Sequence, residues 1–129
     1  MANIEYDMAK LSKIIGFDPE GASRRYISHR EYSDKLADFT VNSQFYLGGY
    51  TPSVVIYNED DRRKFLADLN MVQFKLFSLG ALFAAAELKN LSDAVDHNEV
   101  GILSDRLIKF RAEMNILTKE IQAARIEVF

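Results

Sequence analysis

His29 and His97 are the only imidazoles in this 129-residue chain, and cysteine is absent. Thiolate metal sites, disulfides and cysteine nucleophiles are therefore excluded. Neither histidine has a glutamate three residues before it, so the Glu-x-x-His pattern of di-iron bundles is missing. His29 falls at the start of a capped helix and His97 in a turn, and each reads as a solvated surface residue. The run Glu59-Asp60-Asp61 has the composition of a cation cluster. The first turn of a helix favours acidic residues on electrostatic grounds alone, which accounts for the run without a metal. The chain has no glycine-rich phosphate loop, no H-E-x-x-H and no G-x-S-x-G. With no nucleophile–base pair or metal set to assemble, the sequence predicts no catalytic, cofactor-binding or metal-binding residue and no enzyme activity.

What the chain does offer is a helix that has to be covered. Read as a helix from Asn58 to Gly80, the segment NEDDRRKFLADLNMVQFKLFSLG places Phe65, Leu69, Val72, Leu76 and Leu79 on one face. Their steps of four and three make a seam against other helices. Leu66, Phe74 and Phe77 form a second apolar row, with Asn70 in its middle and Gln73 and Lys75 flanking it. Either this row is core, covered by the N-terminal helix or by the loop carrying Val54 to Ile56, or it is offered to a partner. Phe74 and Phe77 are aromatic anchors of the kind interfaces favour.

The elements around this helix follow from the same periodicities. Ile4, Met8, Leu11 and Ile15 predict an amphipathic helix ended by Gly16. Asp18-Pro19 reads as an N-cap followed by proline at the first helical position, opening a short helix to about Ile27. Ser28 and Glu31 fit a capping box, and Tyr32, Leu36, Phe39 and Tyr46 give the next helix a core face as far as Leu47. YTPSVVIY, with Pro52 in it, reads as an ordered loop. Asn58 then caps the central helix, and Gly80 allows a tight break. Residues 81 to about 96 form a helix with Ala84, Leu88, Leu91 and Val95 inward, the run Ala84-Ala85-Ala86 marks close helix packing, and Asp96 to Glu99 is a turn. Leu103, Leu107, Phe110, Met114, Leu117, Ile121, Ala124 and Val128 run unbroken along the last helix, whose end is expected to project beyond the bundle. The expected fold is all-α: one domain over residues 1–129, an antiparallel up-and-down four-helix bundle with an additional N-terminal helix.

Composition narrows the function classes. At 48% apolar and 27% charged, the chain is globular and long enough for a core of its own. A net charge of −3 without a basic tract argues against nucleic acid. Charges among the first apolar positions, Glu5, Asp7, Lys10 and Lys13, exclude a signal peptide or membrane span there, so a cytoplasmic location is expected.

One pattern goes further. Tyr32, Lys35-Leu36 and Phe39, preceded by GFDPEGASRRY, sit about where a Y-x-x-L-x-x-x-F-like pattern opens a helix, and Gly80-Ala81 closes the central one. In that order the elements, from about Ile14 to Ala123, resemble the histidine-containing phosphotransfer (HPt) domain family, the four-helix module of phosphorelays. The family's central helix carries an H-x-x-K-G motif about ten residues before a Gly-Ala pair. Anchoring on Gly80-Ala81 puts Asn70 at the histidine, Gln73 at the lysine and Phe74 at the glycine. A shift of one turn puts Phe74 at the histidine, so neither register supplies one.

The resemblance therefore implies the module without its chemistry. Phosphotransfer in the family needs an imidazole nucleophile and a neighbouring cation. Asn70 has its amide lone pair delocalised, Gln73 is uncharged, and Phe74 fills the space a glycine leaves open. The expected function is a pseudo-phosphotransfer signalling module that binds the receiver domain of a response regulator, or a sensor kinase, through Leu66, Asn70, Gln73, Phe74 and Phe77. No cofactor, nucleic acid or membrane partner is expected, and the chain is expected to be a monomer or a homodimer. The alternative is a structural or oligomeric helical-bundle protein unrelated to phosphorelays, pairing with its copy through Phe110 and Met114 of the last helix.

Overall fold

Asn58 accepts a hydrogen bond from Asp61 N at 3.1 Å and so starts helix α5, Glu59–Leu79. Phe65, Leu69, Val72, Leu76 and Leu79 are all buried, as the spacing predicts. Gly80 ends the helix at φ +91°. The Gly80 N–H donates to Phe77 O and the Ala81 N–H to Leu76 O, the paired bonds of a Schellman turn. Helix α6, Leu82–Asp96, follows at once.

A computed structural model describes residues 3–128. Besides α5 and α6 it contains β1 (Asn3–Tyr6), α1 (Met8–Ser12), α2 (Pro19–Ser23), α3 (His29–Asn42), α4 (Pro52–Tyr57), α7 (Val100–Ala123) and β2 (Arg125–Val128). The fold is all-α apart from one two-stranded ribbon. Helix α5 packs on α6 and α6 on α7, while α3 lies against both α7 and α5. The core is a single cluster drawn from all four long helices, with Leu11, Phe17 and Ala22 added from the N-terminal segment. Among the described residues no helix is long and apolar enough to cross a membrane.

Several expectations about the elements change. Instead of an amphipathic helix from Ile4 to Gly16, the chain opens with β1, and only α1 is helical; Asp7 caps it through Ala9 N and Lys10 N. Ile14 is buried and Ile15 is 89% exposed, because the chain leaves the helix after Ser12 and the 3.6-residue period no longer applies. The side chains of Ile4 and Val128, expected to face the core, lie outside the described ones. The short piece expected to run to Ile27 stops at Ser23, and Ile27 is exposed. Helix α3 ends at Asn42 rather than Leu47, followed by one 3-10 turn at Ser43–Phe45. YTPSVVIY is not a loop: Pro52 takes the first helical turn, where its missing N–H is harmless, and α4 buries Val55 and Ile56 while Val54 faces out.

The last helix does not project. It stops at Ala123, and β2 returns to pair antiparallel with β1, Asn3 opposite Val128 and Tyr6 opposite Arg125. Asp7 N donates to Ala124 O at 2.8 Å and extends the ladder inward. Phe110 and Met114 are buried inside the chain, so the α7 seam is not open to a second copy. In α6 it is Ala85, not Ala84, that is fully buried, and Ala86 is exposed.

Candidate docking face and the groove beside it

The second row of α5 is uncovered. Phe74 is 71% and Phe77 47% exposed, and Asn70 between the turns is exposed as well. Helix α4 packs on α5 and α7 through buried Val55 and Ile56 and leaves Phe74 and Phe77 exposed, and the N-terminal region meets the face at Phe77, through Arg25. The other two predicted site residues are drawn inward. Leu66 is half-buried against the core, and Gln73 turns toward α6, its Nε2 donating to Ala85 O at 3.1 Å. The structure thus brings Asn70, Phe74 and Phe77 together as surface and places Leu66 and Gln73 at its edge.

The end of α5 beneath this face is fixed by residues whose role the sequence does not announce. Its last carbonyls have partners from the α2–α3 region. Tyr32 Oη donates to Leu79 O at 2.7 Å, Tyr26 Oη to Ser78 O at 3.1 Å, and Arg25 Nη1 to Phe77 O at 3.2 Å. Helix C-termini leave these acceptors open and carry partial negative charge, so hydroxyl donors and a guanidinium suit them. The Arg25 guanidinium also lies over the Phe77 ring, 4.4 Å from its centroid, which holds that ring in place at the surface. Burial pushes the Tyr32 phenol far above its ordinary value, with Tyr26 and Asp18 adding to the effect. Burial likewise raises Tyr26, helped by Glu31 and opposed by Arg25.

Beside Phe74 and Phe77 a groove of about 590 Å³ opens between α5 and α3. Phe39 and Leu79 reach it from the core, and Tyr46, Met71, Phe74 and Phe77 form its apolar sides. Arg25, Lys35 and Lys75 stand around it with Asp38 as the one carboxylate. Lys75 Nζ sits 5.5 Å from the Tyr46 ring centroid. Burial raises the Tyr46 phenol, and the Asp38 charge raises it further. On the α5 side of this groove, Phe74 and Phe77 belong to the second apolar row that helical spacing defines. Helical spacing does not mark the α3 side, because Phe39 and Tyr46 fall at core positions of that helix's pattern.

The two histidines behave as surface groups. His29 is exposed at the start of α3, and exposed His97 places Nδ1 2.6 Å from Asp93 O at the end of α6. Glu59 and Asp60 bind Arg63 at 3.3 and 3.5 Å, and among the described residues no group of acidic or histidine side chains is arranged to hold a metal ion. No protein-family model, curated protein or solved structure matches this chain.

Proposed function

We propose that this chain is a phosphorelay-type docking module that carries no phosphoryl group: an up-and-down bundle of α3, α5, α6 and α7 that binds the receiver domain of a response regulator, or a sensor kinase, through the Asn70–Phe74–Phe77 face, in the cytoplasm. The observation that carries the reading is that face. Met71, Phe74 and Phe77 are exposed together along one groove, and a contiguous apolar patch of this kind marks an interaction site. Phe74 and Phe77 lie one and two turns beyond the position where the HPt-like register has its histidine, and Asn70 at that position is exposed. An amide there offers no nucleophile, and Gln73 is an uncharged amide tied to α6.

The test is titration of the chain with receiver and kinase domains from the same genome. One or more should bind, and Phe74→Ala should weaken that binding about tenfold or more. The same variant should keep its unfolding free energy within about 0.5 kcal/mol, since the side chain is mostly in water. Incubation with a phosphorylated receiver should leave no acid-labile phosphate on this chain. Absence of binding to every such domain, or phosphate appearing on His29 or His97, overturns the proposal.

A further inference from the structure

The groove between α3 and α5 has a second chemistry that a docked domain does not require. Its sides are apolar and aromatic, while the charged residues that line it are unbalanced, Arg25, Lys35 and Lys75 against Asp38, with Glu31 near Tyr26 at its end, in a chain of net charge −3. None of the three cations forms an ion pair among the described residues, where the ion pairs belong to Arg63 and Lys109. Arg25 and Lys75 lie over ring faces instead, and Asp38 accepts from Asn42 Nδ2 at 2.8 Å. A cleft lined by one sign of charge concentrates the opposite sign, and low-dielectric walls strengthen that effect. The volume, about 590 Å³, falls within the roughly 300–1,000 Å³ of small-molecule sites.

The geometry points to a binding site for a small amphipathic organic acid, an aryl or medium-chain aliphatic carboxylate. Its apolar body lies along Met71, Phe74 and Tyr46, and its carboxylate meets Lys35 and Lys75. The site does not depend on the phosphorelay reading. It shares Phe74 and Phe77 with the docking face, so an acid seated here competes with a partner docked there.

The experiment uses the chain alone, titrated with decanoate and with decan-1-ol, and reads the methionine methyl signals by NMR. Met71 lines the groove, whereas Met114 is buried in the core and Met8 packs against it on the N-terminal segment. Decanoate should move the Met71 methyl and leave those of Met8 and Met114 in place, and it should bind several-fold more tightly than the alcohol. Lys35→Ala and Lys75→Ala should each weaken decanoate by up to about fivefold and leave the alcohol unchanged. Asp38→Asn should tighten decanoate, a sign that loss of structure cannot produce. Equal affinity for acid and alcohol, a Met71 signal that stays fixed at millimolar acid, or shifts that move Met8 and Met114 as much as Met71 overturns the site. Because no receiver or kinase is in the tube, that failure is separate from any failure of the docking reading.

Discussion

Tyr32 shows how much one hydroxyl can matter. The residue is fully buried, and its Oη donates to the Leu79 carbonyl at the end of α5. Tyr32→Phe keeps the ring packing and leaves that acceptor without its partner, so it should cost about 1–3 kcal/mol of unfolding free energy. Tyr26→Phe removes the equivalent bond to Ser78 O at a half-buried position, where water can replace the hydroxyl, and should cost under about 1 kcal/mol. Urea titration of the two variants checks the order; equal losses would mean that the ring, not the bond, is what Tyr32 contributes. The position of Tyr32 in the core was legible from its spacing with Leu36 and Phe39. Its bond was not, because the acceptor lies 47 residues away and no local pattern encodes a partner at that distance. The same limit hid Arg25 over Phe77, whereas Asn70, Phe74 and Phe77 were legible as one helix face from their three- and four-residue steps, and its exposure was not, because that depends on what packs beside it.

Among the elements, the α5–α6 break is the most constrained. Phe17 and Ala81 form an isolated antiparallel bridge, with Asp18 N donating to Gly80 O at 2.8 Å and Phe83 N to Gly16 O at 3.1 Å. The bridge brings backbone so close that a Cβ on Gly80 would meet Asp18 O at 2.3 Å. Gly80→Ala therefore combines a positive-φ penalty of about 1–2 kcal/mol with a clash against main chain, and should cost about 3 kcal/mol or more. Gly49→Ala is the control: φ is +82° but a Cβ there meets nothing within 4 Å, so only the conformational penalty remains. Chemical denaturation of both variants should show the difference, and comparable losses would show that crowding at Gly80 is relieved cheaply. Long helices were legible in the sequence because they repeat their signal over several turns. The short ones were not. Val54-Val55-Ile56 looks like a strand or a loop by composition, and one turn of helix beginning at Pro52 is enough to bury two of the three.

For the molecule as a whole, the tyrosines set an alkaline limit. Burial raises Tyr6, Tyr26, Tyr32 and Tyr46, and Tyr50 is pushed up to about 12 by burial and by its hydrogen bond to the Asp68 carboxylate. A phenol raised in the folded state contributes stability that is complete below the unfolded value of 10 and is lost as pH climbs above it. Unfolding free energy should therefore fall above pH 10, by about 1.4 kcal/mol per pH unit from Tyr32 alone. Most of the phenolate absorbance should rise together with the loss of helical circular dichroism; the phenolate of all six tyrosines forming while the helices remain would contradict this. The all-α class and the sequence of long helices were legible at this scale. The closure of the fold was not, since each strand is only four residues long and its partner stands at the opposite end of the described chain. That closure fixes how the molecule meets a mechanical load. With Asn3 opposite Val128, tension drawn between the two strands' outer ends bears first on the outermost pair and peels the ribbon one rung at a time, instead of shearing all its bonds together. The outer rungs yield as a zipper, and resistance begins where buried Tyr6 holds β1 against α3 and the Asp7–Ala124 bond follows it.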